Sequence, residues 1–200
     1  MLKEKIESSL GLRALHRPTF YCNPGGLRFE LSAGGSPVEQ FLTAHRKASA
    51  ICREVFDRAQ TFTVCMSVYL YKPAFSFRDN LRKLRLAGIR IPRSKAIWVA
   101  LDGDGDGADD GLLHVAFAAD RALLDNFLWC ALATDLTIEP CPHFSAIRLI
   151  DLDKAVLVHP YDDRGMDVVG PNHALLSELY SKFNVELLEY DRHTMAATFG

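Results

Sequence analysis

The chain has 200 residues, 48% of them hydrophobic and 24% charged, with a formal net charge of −2. That length fits one domain, and the balance supplies enough apolar surface for a core, which excludes a disordered or low-complexity chain. No apolar run reaches the roughly 18 residues needed to span a bilayer, and the charged start Met1-Leu2-Lys3-Glu4-Lys5 has no apolar stretch behind it, so neither a membrane span nor a secretory leader is expected.

Residues 2–10 suit a short helix, which Arg17-Pro18 and Asn23-Pro24-Gly25-Gly26 separate from an alternating strand at Leu27–Leu31. Leu27, Phe29 and Leu31 share one face of it. Arg28 and Glu30 take the other, about 7 Å apart along the strand, where they can pair with each other or with cross-strand neighbours. Ser36-Pro37-Val38-Glu39 is a strong helix start, with Ser36 as cap, Pro37 at the first helical position and Glu39 completing a capping box. The periodicity predicts a helix to about Arg58, burying Val38, Phe41, Leu42, Ala48, Cys52, Val55 and Phe56. On it His45 and Cys52 read as packing residues rather than ligands. The five cysteines, Cys22, Cys52, Cys65, Cys130 and Cys141, are scattered and never spaced C-x-x-C, which points to a reducing cytoplasm and away from a disulfide framework or zinc ribbon.

Phe62–Tyr71 is β-branched and aromatic, as in a central strand, and Ser76 can cap a helix to about Ala87. On that helix Arg78, Arg82 and Arg85 form one basic stripe able to meet phosphates or an acidic protein surface, against the plainer reading of a solvated face. The stripe belongs to a basic segment, Lys72–Lys95. The segment after it is acidic: Asp102, Asp104, Asp106, Asp109 and Asp110 lie between apolar strands at Ala96–Leu101 and Leu112–Ala118. Asp102, Asp104, Asp106 and Gly107 match the first half of a calcium-binding EF-hand loop, but Leu113 stands where a bidentate Glu is needed and a strand precedes the loop, so a solvated hairpin loop is favoured. Asp120 caps a helix from Arg121 to about Asp135, Ser145–Ile150, Lys154–His159 and Met166–Val169 follow as strands, and Pro171-Asn172 opens a helix from His173 to Phe183. Val185–Tyr190 is extended or helical, with Asp191 as cap for a last short turn. The sum is α+β: a single domain with a mostly antiparallel sheet of six or seven strands, four or five helices, and any internal division near 102–111.

The candidate site centres on Tyr161-Asp162-Asp163-Arg164-Gly165-Met166-Asp167. Asp162 to Gly165 has the grammar of a tight hairpin, in which Asp bonds the local backbone and Gly supplies positive φ. If Asp167 approaches Asp162 or Asp163, three carboxylates can hold a hard cation. Arg164 beside them favours a structural ion-pair network instead. His159 adds a general base or ligand if it is not simply a satisfied strand residue, and Tyr190-Asp191-Arg192 offers a phenol, an acid and a cation nearby. With Arg28 and Glu30 these make up the candidate functional cluster. No P-loop, G-x-S-x-G elbow, H-E-x-x-H pair or dinucleotide fingerprint occurs, which lowers the expectation of an enzyme.

Pro18-Thr19-Phe20-Tyr21, Gly26-Leu27-Arg28-Phe29-Glu30-Leu31, Tyr161-Asp162-Asp163-Arg164-Gly165-Met166-Asp167, Leu179-Tyr180 and Leu188-Glu189-Tyr190-Asp191-Arg192 together resemble the bacterial family grouped as domain of unknown function 3885. The resemblance spans most of the chain and implies a small cytosolic protein, with no catalytic residue to transfer. Glu186 departs from an aromatic position of the family pattern, and Glu189 replaces an Asp. The leading functional expectation is a non-enzymatic protein-binding module, a toxin-immunity protein being its specific form, with a protein partner expected ahead of nucleic acid. No cofactor is expected. The alternative is a hydrolase or transferase built on Asp162, Asp163 and Asp167, assisted by His159 or Asp191, around a divalent cation such as Mg²⁺ or Ca²⁺.

Overall fold

The computed structural model describes residues 1–70, 74–101 and 111–200. It contains α1 (Leu2–Leu10), α2 (Thr19–Cys22), β1 (Leu27–Glu30), α3 (Pro37–Val55), β2 (Thr61–Tyr69), α4 (Ala74–Leu86), β3 (Ala96–Leu101), β4 (Gly111–Asp120), α5 (Leu124–Leu132), β5 (Ala146–Asp151), β6 (Val156–Pro160), β7 (Gly165–Val169), α6 (His173–Lys182) and α7 (Arg192–Phe199). The seven strands form one antiparallel sheet in the order β1-β7-β6-β5-β2-β4-β3. The fold is the α+β single domain that the strand and helix patterns predict, but with seven α-helices among the described residues in place of four or five: α2 forms in the Pro18–Asn23 connection and the C-terminal turn extends into α7; strands from both sides of residues 102–110 lie in the same sheet. No helix among the described residues is long and apolar enough to cross a membrane.

One face of the sheet carries the main core. Leu27, Phe29, Val64, Met66, Leu149, Val158, Met166 and Val168 point there against Phe41, Ala48, Ile51, Cys52 and Val55 of α3, Phe127 and Leu128 of α5, and Leu176 and Leu179 of α6. The second face is apolar only in part: Cys65, Ala116, Ile150, Leu157 and Val169 pack under Ile6 and Leu10 of α1 and Ala14. The remaining inward positions on that face are polar, and strand register lines them up. Arg28 stands opposite Asp167, Asp167 opposite His159, Cys65 opposite Arg148, Ser67 opposite His114, and His114 opposite Trp98. A row of polar side chains therefore crosses the sheet, and the chain from α1 to α2 straps over it.

Local chemistry sets the element ends. Ser36 accepts from the Glu39 N–H while Glu39 bonds back, the predicted capping box, and Asp120 accepts from Ala122 N at 2.8 Å. Asn172 caps α6 through Leu175 N. Some expectations are corrected. Helix α3 stops at Val55, and Val38 and Leu42 are about 61% and 60% exposed. At about 100° per residue Leu42 lies roughly 120° from Ala48, outside the buried stripe. Helix α4 begins at Ala74, so Ser76 lies inside its first turn rather than before it. Asp191 precedes α7 but makes no side-chain cap there, because its carboxylate is used elsewhere.

Candidate functional site

Pairing of β1 with β7 brings the early Arg28-Phe29-Glu30 strand against Gly165-Met166-Asp167 of the hairpin, far along the chain. Arg28 is bound on both sides. Its Nε donates to Asp167 Oδ1 at 2.9 Å and its Nη1 to Asp191 Oδ2 at 2.9 Å. Tyr21 donates its hydroxyl to Asp191 Oδ1 at 3.1 Å, and Phe20 N donates to Asp167 Oδ2 at 3.1 Å. The guanidinium lies 4.9 Å from the Phe20 ring centre, 4.8 Å from Tyr21 and 5.8 Å from Tyr161, within cation–π range of three rings. Burial opposes the Arg28 charge, but hydrogen bonds and attraction from Asp167 outweigh it and hold the group protonated beyond its ordinary range. For Asp167 the balance is reversed. Burial pushes its carboxyl up, and the Arg28 contacts only partly counter that.

The β6–β7 turn is built by Asp162. Its Oδ1 accepts from Arg164 N at 2.8 Å and Gly165 N at 3.1 Å, while Oδ2 accepts from Arg164 Nε at 3.0 Å and from Arg164 Nη2. Asp163 turns the other way, accepting from Ser32 Oγ at 3.1 Å, and burial pushes its carboxyl up. The expected positive φ at Gly165 is not found. Glycine suits the position because Tyr161 folds across it, and a Cβ would overlap the phenol ring unless the ring moved aside. The three carboxylates are thus committed to three different sets of partners. Among the described residues no group of three His, Cys, Asp or Glu side chains is arranged to hold a metal.

His159 is 5% exposed, with Nδ1 2.7 Å from Thr19 Oγ1. Burial, then the charges of Arg148, Arg17 and Arg28, holds its protonation well below the ordinary imidazole range. Further along the row Arg148, fully enclosed, donates Nη1 to Ser67 Oγ at 3.0 Å and Nη2 to the Leu15 carbonyl at 2.9 Å. Ser67 Oγ lies 2.8 Å from His114 Nδ1, and Trp98 stacks on that imidazole. Where the strap turns into α2 the row opens into a cleft of about 540 Å³ lined by Arg17, Pro18, Thr19, Arg28, Ser145, His159, Tyr161 and Asp167. Burial, reinforced by Asp167, pushes the Tyr161 hydroxyl up.

The structure therefore unites Arg28, His159, Tyr161, Asp167 and Asp191, and leaves the other candidates apart. Glu30 faces a neighbouring shallow groove with Asp162 and Arg164. Tyr190 is 85% exposed, and Arg192 is taken up by Glu189 and Asn184. Arg78, Arg82 and Arg85 are all exposed on α4, with Arg82 paired to Asp79 at 2.9 Å. Asp102, Asp104 and Asp106 lie outside the described residues. Sequence reasoning passed over Arg17, Thr19, Tyr21, Ser145 and Arg148. The signal for Arg148 was a lone cation in the apolar run Ala146-Ile147-Arg148-Leu149-Ile150, which a strand buried on both faces tolerates only with partners.

No curated protein and no solved structure matches the chain. A family model described as domain of unknown function (DUF3885) matches residues 2–191, nearly the whole sequence including both halves of the Arg28–Asp167–Asp191 network, and the chain belongs to that family.

Proposed function

We propose that the protein is a non-enzymatic binding module that captures an acidic protein partner through the α4–β3 side of the sheet. The observation that carries this is a basic surface, without carboxylate partners among the described residues, around exposed apolar side chains. Arg78, Arg85, Arg90, Arg93 and Lys95 are exposed, and none has a carboxylate partner among the described residues. Arg85, Arg90 and Lys95 rim a groove of about 650 Å³ floored by Leu81, Leu84, Ile89 and Ile91. Leu86, Ile97 and Val99 are 65%, 56% and 54% exposed beside it in the chain, and β3, which follows Lys95, is the last strand of the sheet among the described residues. An apolar anchor with a cationic rim suits a partner that presents acidic residues around an apolar side chain, and such a field speeds encounter.

The signature cluster supports the non-catalytic half of the reading, because Arg28 is taken up by Asp167 and Asp191, and Arg164 by Asp162. The metal-hydrolase alternative has less support, since Asp162, Asp163 and Asp167 each serve a different set of contacts. Calorimetric titration with Mg²⁺ and Ca²⁺ against wild type and Asp167→Asn tests it directly: saturable binding lost in the variant would revive it.

The test of the binding module is affinity capture from the native host, identification of the bound protein, and measurement of the purified pair. The expected result is an acidic partner whose affinity falls at least tenfold in Arg85→Glu/Arg90→Glu/Lys95→Glu and weakens steeply with salt. A partner indifferent to the triple variant, or nucleic acid or a second copy of the chain occupying this face instead, overturns the reading. The toxin-immunity form adds that deletion sensitises the host to the captured toxin; unchanged sensitivity removes that form alone.

A further inference from the structure

The cleft beside His159 lies at the opposite end of the sheet from the proposed partner surface, and its hydrogen-bonding character is lopsided. Thr19 is 1% exposed, and the only contact of its hydroxyl among the described residues is His159 Nδ1. An enclosed hydroxyl proton needs an acceptor, so Thr19 donates to Nδ1 and the imidazole proton sits on Nε2. His159 Nε2 has no partner among the described residues, yet it is not one of the fully enclosed unpartnered atoms, so it is open to the cleft that His159 lines. The Tyr161 hydroxyl likewise bonds to nothing among the described residues. Ser145 Oγ, at the same wall, is enclosed and unbonded, and turning that side chain towards a ligand oxygen would satisfy it.

The lining thus presents an imidazole N–H and the Tyr161 hydroxyl as donors, with the guanidiniums of Arg17 and Arg28 beside them already bonded within the protein. Its one carboxylate, Asp167, is already accepting from Arg28 and from Phe20 N. A volume of about 540 Å³ suits a small molecule, and Pro18 and the Tyr161 ring supply apolar wall. The depressed protonation of His159 agrees with the geometry, because it reflects, after burial, a field set by arginines that an incoming anion would relieve.

We infer that this cleft binds a small, partly apolar molecule through an anionic oxygen group, a carboxylate or a phosphate, which accepts from His159 Nε2–H beside Arg17 and Tyr161. Benzoate and phenyl phosphate are suitable probes of the two sources, titrated into the wild-type chain while the His159 imidazole resonances are followed by NMR. The expected result is a saturable shift at His159 with at least one probe, and the stronger of the two names the head group. Affinity should fall at least tenfold in His159→Phe and should be unchanged in Arg46→Ala, exposed on α3 across the sheet. Absence of a saturable His159 shift in wild type with both probes overturns the inference whatever the variants do. Equal affinity in a folded His159→Phe, checked by its amide spectrum, also overturns it.

Discussion

Arg28→Met is the sharpest perturbation of the fold, because one side chain compensates two buried carboxylates. Asp167 and Asp191 are 1% and 5% exposed, and each receives an Arg28 hydrogen bond of 2.9 Å. Methionine keeps most of the apolar contact with Phe20, Tyr21 and Tyr161 but strands both charges. Breaking a buried pair from one side costs about 3–5 kcal/mol. At roughly 2–4 °C per kcal/mol for a chain of this size, the melting temperature should fall by about 6–20 °C. The loss should depend on pH in a definite direction. Burial already raises the Asp167 pKa above its unfolded value, and removing Arg28 removes its main counterweight. A carboxyl with a raised folded pKa binds more protons in the native state from pH 3.8 upward to that folded value, so acidification through this window stabilises the native state relative to the unfolded one. The deficit of Arg28→Met against wild type should therefore shrink as pH falls from 8 to 5, and Arg28→Met/Asp167→Asn should recover part of it at pH 8. Thermal unfolding of the four combinations at both pH values measures this. A drop below about 2 °C, or a deficit identical at the two pH values, would refute the reasoning.

The other predictions concern single contacts. His159 has a folded pKa below its unfolded value of 6.5, so the native state binds fewer protons than the unfolded chain just below pH 6.5. Stability is then complete above that pH and is lost towards acid, by up to about 1.4 kcal/mol per pH unit; His159→Phe should flatten this limb of the melting profile. Gly165→Ala should cost about 1–3 kcal/mol by driving the Tyr161 ring aside, and Tyr161→Ala in the same chain should make the extra methyl nearly neutral. Asp162→Ala strands the Arg164 and Gly165 N–H groups and should cost about 1–3 kcal/mol by denaturant titration. Asp162→Asn keeps that acceptor and should cost well under half as much, because Arg164 is 69% exposed and its ion pair contributes little.

Much of the fold was legible because local chemistry and packing agree. The Ser36–Glu39 box, the Asp120 and Asn172 caps and the alternating strand β1 all appear where spacing places them. The hairpin at Asp162 was legible for the same reason: an Asp two and three residues before an N–H can bond both. What was not legible depends on long-range register. Arg28 and Asp167 are opposite one another only because β1 enters at the sheet edge beside β7, which no local pattern dictates. At Gly165 the local pattern points to a turn residue, whereas what favours glycine is steric, from a ring four residues earlier. Asp191 sits at a helix start, where capping is the default expectation, yet the guanidinium of a strand 163 positions away takes its carboxylate.

The disposition of charge separates what the family signature does from what would choose a partner. At the β1 end the one cation of the network, Arg28, meets the carboxylates of both Asp167 and Asp191 at 2.9 Å, which cancel its field at close range. At the β3 end Arg78, Arg85, Arg90, Arg93 and Lys95 have no such neighbours among the described residues, so their fields add within a Debye length of about 8–10 Å. Among the described residues that side of the sheet is therefore locally positive although the net charge of the chain is −2. Two variants should then dissociate cleanly. Arg85→Glu/Arg90→Glu/Lys95→Glu should leave the melting temperature nearly unchanged, since exposed substitutions away from packing stay within about ±0.5 kcal/mol each, while slowing association with an acidic partner. Asp162→Ala should lower the melting temperature and leave the association rate of the folded fraction intact. Stopped-flow association beside calorimetric unfolding reads both. If the triple charge reversal unfolds the chain, or if Asp162→Ala slows association as much as it does, then stability and recognition are not divided between the two ends of the sheet.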